Sequence, residues 1–330
     1  AKYSFTELFR KIIFDGMVVF GGAAISKGPR NLFANPYTAV PISITVEGAN
    51  ILTRTLMIFG QGVIRCHPYA FQEIEAIEKG DLKQFDKAFI GHLMHVSTNK
   101  TRVFVLYLTR ACLLFTPGGD SRRYFQKLSW ASAKFAFLSD LALGSLGGDL
   151  KRREKLTGRF ADILSWMYLI TSTLRRFRAE GQLKEDWPLA KWSMDYAFYQ
   201  IQIAFEGIFQ NMSWWTKLFY ITTKLNPIGK PPSDKLGHEV ARIITNPGEQ
   251  RDRLFNGLFI SNDPNDQFNK LERTLRLVAK TDPIIRSIKK AIKKKKLPKQ
   301  PIESLIEKAI EAHIITKDEG MLLRDAEAAR

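Results

Sequence analysis

Between Lys155 and Ala179, the residues Leu156, Phe160, Ile163, Met167, Ile170 and Leu174 recur alternately four and three positions apart. That spacing gathers all six on one side of a rod with 3.6 residues per turn, whereas a strand would scatter them over both faces. A second stretch, from Trp187 to Met212, does the same with Trp192, Phe198, Ile201, Phe205, Ile208 and Phe209. Pro188 suits a first helical turn, and Asp186 takes the N-cap position before it. Two long amphipathic helices, each with an apolar face to cover, commit this part of the chain to helix-on-helix packing.

The flanking sequence reads the same way. A first helix spans Phe5 to Phe20 and stops at Gly21-Gly22. A loop rich in Gly, Pro and Asn runs from Gly28 to Pro41. After it, the run Ile42, Ile44, Thr45 and Val46 favours extended backbone. A second helix is expected from about Glu47 to Arg65, ahead of Pro68. A short helix covers Ala70 to Lys79, a break falls at Gly80-Asp81, and a long helical stretch runs from Leu82 to Phe115. Pro117-Gly118-Gly119-Asp120 is a turn. Helix resumes near Ser121 and reaches the glycines at 144, 147 and 148. Short helices follow near Ser233, Pro247, Asp263, Asp282 and Pro301. The chain is read as all-α: an antiparallel helical bundle over residues 1–120, then a second helical region with a basic tail over 121–330.

With 330 residues, 45% of them hydrophobic, and 23 Phe, 9 Tyr and 6 Trp, the chain can fill a core. Its 50 basic and 33 acidic residues leave a net charge of +17, which implies an acidic partner: a nucleic acid, an anionic lipid surface or a phosphate-bearing ligand. Only Cys66 and Cys112 are present, too few for a disulfide framework and without zinc-finger spacing, so a reducing cytosol is expected. No run approaches the roughly 18 apolar residues of a membrane span. The chain opens directly on amphipathic material, which suggests a piece of a longer polypeptide.

Glu47 stands beside Gly48 where the extended run turns into a helix, in "ITVEGANILTR". Ile44, Val46 and Ile51 would desolvate its carboxylate, and a helix start leaves backbone N–H groups free to donate. From the residues alone, a first-turn acid stabilised by the helix dipole is the favoured account of it. The double glycine Gly21-Gly22, a Gly/Pro loop, then Glu47-Gly48 with Arg54 seven positions after the Glu resembles the C-terminal helical domain of the acyl-coenzyme A dehydrogenases. The run "GQGVIRCHP" (Gly60 to Pro68), with the long helical remainder, is similar to the bacterial fatty-acid β-oxidation enzymes that carry an extra C-terminal helical region. The pattern departs from the family at Ala24 and Ala49, in place of a glycine and a threonine.

The resemblance implies α,β-dehydrogenation of a medium- or long-chain fatty acyl-coenzyme A. Glu47 would be the base that takes the α-proton, and FAD the hydride acceptor. Gly21, Gly22, Gly48 and Arg54 would lie at the cofactor. It further implies N-terminal dehydrogenase domains on the same polypeptide, a homo-oligomer, and an electron-acceptor flavoprotein. The fragment alone would then be inactive or nearly so. His92 and His95 share a helix face but, like His67, lack a visible third ligand, and no metal is expected. "SWWTKLFYITTK" (Ser213 to Lys224) mixes aromatic rings with lysines, and "KKAIKKKKLPK" holds seven lysines in eleven residues. The aromatics read first as bundle core and otherwise as a membrane interface, while the lysine run suits peripheral contact with an anionic inner membrane. A non-enzymatic helical module bound to membranes is the alternative. Nucleic-acid binding ranks last, because no helix-turn-helix, zinc or RNA-binding signature accompanies the charge.

Overall fold

Helix α1 (Lys2–Phe20) stops where the sequence places its end, at Gly21 with φ 56°. The computed structural model describes residues 1–28 and 31–329, so positions 29 and 30 of the expected loop lie outside the described residues. One turn, α2 (Gly22–Ile25), follows. Then α3 (Ala34–Thr45) occupies the stretch expected to be loop and extended chain. Asn31 starts this helix, its Oδ1 accepting from the Phe33 and Ala34 amides at 2.9 and 3.0 Å. Edge-on ring contacts of Phe14 with Tyr37 and Phe20 with Phe33 seat the α3 region on α1. Packing therefore overrides the β-branched preference of residues 42–46, and only Val46 is extended.

The next helical stretch begins at Asn50 rather than Glu47. It comprises α4 (Asn50–Leu52), a π-helical segment (Thr53–Gln61) and α5 (Gly62–Cys66). Helix α6 (Ala70–Lys79) ends at left-handed Gly80, and Asp81 caps α7 (Leu82–Leu108) by accepting from the Gln84 amide. The sequence suggested helix to Phe115. Instead Arg110 and Ala111, with φ of 50° and 59°, close α7 with a left-handed turn. Then come α8 (Arg122–Leu146), α9 (Glu154–Ala179), α10 (Trp187–Asn211) and α11 (Lys217–Leu225). The two strongly periodic stretches are α9 and α10, and they form the centre of the unit, with Phe160, Ile163, Phe198 and Phe205 fully buried.

Two compact units divide the chain, residues 1–233 and 234–330. The Pro117–Asp120 turn, where a boundary was expected, lies inside the first. Phe59 and Leu106 before that turn share one core with Trp130, Phe160 and Phe198 after it. The second unit holds α12 (Asp234–Thr245), α13 (Glu249–Leu254), α14 (Gln267–Lys293), α15 (Ile306–Glu311) and α16 (Lys317–Ala329). Its core is aliphatic, centred on Ile288, Leu305 and Leu323. Arg251 forks onto Glu272 at 2.7 Å through both nitrogens, which holds that carboxyl below its ordinary range. No strand occurs among the described residues, and the protein is all-α.

Candidate functional site

The backbone turns sharply between α3 and α4. Val46 is extended, Glu47 is left-handed at φ 53°, Gly48 follows at φ 86°, and Asn50 opens the next helix. A non-glycine residue in the left-handed region carries a local cost of about 1–2 kcal/mol, which the surroundings must hold in place. Here they do so through α1. The buried Asn50 side chain donates to Thr6 Oγ1 at 2.8 Å and to Glu7 Oε1 at 3.0 Å. Lys2 Nζ donates to Asn50 Oδ1 at 2.9 Å and to the Gly48 carbonyl at 3.1 Å. The Glu47 carboxylate is exposed and has no hydrogen-bond partner among the described residues. Of the apolar neighbours expected to dry it, Val46 and Ile51 are themselves exposed. This chain supplies the bend but not the desolvation.

One turn further on, Arg54 makes a two-pronged pair with Asp162 of α9. Nε meets Oδ1 at 2.7 Å and the second terminal nitrogen meets Oδ2 at 2.5 Å. Tyr3 also donates to Asp162 Oδ1, at 2.9 Å. Asp162 hydrogen bonds hold the Arg54 guanidinium above its ordinary value, and burial, then Asp162, pushes the Tyr3 hydroxyl up. The fork lies flat on Gly158, where a Cβ would come within 2.8 Å of Arg54. Arg54 is thus committed within the chain, and the sequence-based expectation of a cofactor contact has no free donor fork behind it.

The far end of the same helical stretch is also held by a carboxylate. His67 caps α5, and its Nδ1 accepts from the amides of Tyr69 and Ala70 at 3.2 and 2.9 Å. A nitrogen accepting two amides carries no proton, so the proton sits on Nε2, which donates to Asp140 Oδ1 of α8 at 2.9 Å. Asp140 Oδ2 is buried without a partner. His95 lies beside this pair, its Nε2 2.9 Å from Asn99 Nδ2, and His92 pairs with Glu73 at 2.8 Å. His67, His95 and Asp140 bring potential metal ligands within 4.8 Å of one another, on the wall of a cavity of about 290 Å³. The third member, unseen in the sequence, is Asp140. The tautomer argues against a metal there: both His67 nitrogens are engaged, and ligation through Nε2 would force a proton onto Nδ1, against two amide donors.

Lys134, on α8, is buried. Its Nζ donates to Thr223 Oγ1 at 2.9 Å and faces the rings of Phe205 and Phe209. Burial brings its pKa down from 10.5 to about 7. The sequence did not single it out, because an interior lysine looks like any other until its neighbours are known. Asp162 and Asp140 were equally invisible, although Asp140 is the single acid of α8. Gly21 and Gly22 are exposed, with nothing among the described residues within 4 Å of where a side chain would begin.

The description acyl-CoA dehydrogenase, C-terminal, bacterial type, matches residues 64–330. The chain belongs to that family. No solved structure matches it. The match includes His67, Lys134, Asp140 and Asp162, while Gly21, Gly22, Glu47, Gly48 and Arg54 precede it. Acyl-CoA dehydrogenases generally use FAD. The residues present do not by themselves fit that group. At Gly21 and Gly22 the polar side chain that meets the backbone among the described residues is Ser26, whose Oγ donates to the Gly22 carbonyl at 3.3 Å, Arg54 is taken by Asp162, and the cavity described opens at His67 rather than Glu47.

Proposed function

We propose that this chain is the C-terminal part of a dehydrogenase acting on medium- or long-chain fatty acyl-coenzyme A in fatty-acid β-oxidation, with Glu47 as the base. The observation that carries the assignment is the Glu47 corner: a carboxylate on left-handed backbone, unpartnered among the described residues, on a bend that α1 braces through Asn50 and Lys2. Non-glycine residues in that conformation concentrate at functional sites. Abstraction of an α-proton from a thioester needs a carboxylate that is dry and aimed when substrate is present. On this reading the drying surface comes from N-terminal domains of the same polypeptide or from a second subunit. FAD, with its electron-acceptor flavoprotein, is served by parts of the holoenzyme outside this chain. The exposed Ile42, Val46, Ile51 and Leu52 around the bend support it, since they form the apolar surface such a lid would cover.

Glu47→Gln in the holoenzyme is expected to lower turnover of palmitoyl-coenzyme A by about 10²–10⁴-fold. It should equally abolish solvent deuterium exchange at the thioester α-carbon while leaving flavin content unchanged. Wild-type exchange in this variant removes Glu47 from the mechanism.

A second feature bears on location. All seven lysines from Lys289 to Lys299 are exposed at the end of α14 and the turn beyond it. With the +17 balance, this supports peripheral association with an anionic bacterial membrane. Among the described residues, no helix is long and apolar enough to cross one.

A further inference from the structure

Helix α11 keeps much of its apolar surface outward. Inward, Tyr220 packs against the core, the Phe219 ring meets Phe209, and hydroxyls make the hydrogen bonds. Thr216 Oγ1 donates to the Phe209 and Ser213 carbonyls, and Thr223 is buried as the acceptor for Lys134. Gln202 Nε2 donates to the Thr223 carbonyl at 3.1 Å and takes the Ile228 amide on its Oε1 at 3.0 Å, which fixes the chain beyond the helix as well. Four other apolar residues point out. Trp214, Leu218, Ile221 and Leu225 recur at helical spacing along one side and are 82%, 69%, 59% and 72% exposed. A helix in water normally turns this stripe inward, and a contiguous exposed apolar face marks an interaction surface.

The end of α7 adjoins it. Asn226 Nδ2 donates to the Tyr107 carbonyl at 2.9 Å, and the Tyr107 hydroxyl reaches the Thr222 carbonyl at 3.5 Å. This stretch of α7 exposes Phe104 and Leu108. Along these two chain segments the charge is of one sign, with Glu206, just before the second, an acid that acts on Lys224. No Asp or Glu occurs in residues 87–119 or 207–233, while Lys87, Lys100, Arg102, Arg110, Lys217, Lys224 and Lys230 do. An apolar stripe of Trp, Leu and Ile in a setting purely cationic over two chain segments is complementary to anionic headgroups above an acyl layer. A protein partner would not require acids to be absent from both segments.

We propose that α11, with the adjoining end of α7, is the face by which the first unit lies on an anionic lipid bilayer. Trp214, Leu218, Ile221 and Leu225 enter the acyl boundary, and Lys217 and Lys224 stay at the headgroups. This deepens the reading of peripheral membrane association and does not depend on the dehydrogenase assignment.

The test is co-sedimentation of the holoenzyme with vesicles of phosphatidylglycerol and phosphatidylethanolamine, comparing wild type with Leu218→Gln/Ile221→Gln/Leu225→Gln. The triple variant should partition at least tenfold more weakly, with unchanged helicity and thermal midpoint because the replaced side chains are exposed. A fluorophore on Leu218→Cys, in a Cys66→Ser/Cys112→Ser background, should blue-shift and brighten on vesicles. If wild type fails to sediment, membrane association itself is wrong. If wild type sediments and the triple variant matches it, the membrane reading stands and this face is overturned. Brightening that tracks protein concentration without lipid overturns it in favour of a second copy.

Discussion

The helical stretch over residues 50–66 is clamped at both ends by a carboxylate from another helix, and the two clamps are built differently. At its start, Asp162 holds Arg54 through two parallel charged contacts in a half-exposed setting, with Tyr3 as third partner. At its end, Asp140 holds the neutral Nε2–H of His67 through one oxygen, in a buried setting, with the other oxygen unpartnered. The first clamp gains directionality from a planar fork and keeps water close enough to solvate either charge after a loss. The second has no such reserve, because whatever is removed leaves a buried polar group unpaired. A weaker-looking contact can therefore be the costlier one to break.

Removing the buried acceptor should show this most. Asp140→Ala leaves the His67 Nε2–H unsatisfied and is expected to cost about 2–3 kcal/mol in denaturant unfolding, through loss at both the hydrogen bond and its packing. Asp162→Ala should cost less, about 1–2 kcal/mol, since Arg54 can turn to solvent. A reversed order would undo the contrast. Lys134 separates the clamps from the pH response. Its amine has a folded pKa of about 7 against an ordinary 10.5, so over that interval the unfolded chain binds the extra proton. Stability then rises with pH between those values, by up to about 1.4 kcal/mol per pH unit. In Lys134→Met this rise should be absent when denaturant midpoints at pH 7.5 and 9 are compared. The smallest effect sharpens the second clamp. Asp140→Asn keeps an acceptor for His67 and removes a buried charge, so a change within about 0.5 kcal/mol is expected. A loss as large as that of the alanine variant would mean that Asp140 Oδ2 has a partner.

Local signals made much of this fold readable. The 4-3-4-3-4 spacing of α9 located it to within a residue, and Gly80-Asp81 marked both a left-handed stop and a cap. Residues 42–46 misled because β-branched content is a preference about surroundings. The decisive surroundings were α1 and the Asn31 cap, which no window over 42–46 contains. The corner at Glu47 was found by its residues, yet its dryness was inferred from neighbours that prove to face water. The partners of Arg54 and His67 lie 108 and 73 positions away, beyond any reading by spacing. The family was suggested mainly by the motif from Gly21 to Arg54 and the run from Gly60 to Pro68, and it is shown over residues 64–330, so the residues proposed for chemistry stand upstream of the matched segment.

The π-helical segment at Thr53–Gln61 takes on a further meaning between the two anchors. Shortening it by one residue would let ordinary i→i+4 bonding close the gap, but everything downstream would swing by about 100°. With Arg54 fixed, that swing would carry the His67 ring off Asp140. The surplus residue thus acts as a phase shifter, setting where the imidazole points by how far the rod ahead of it is wound.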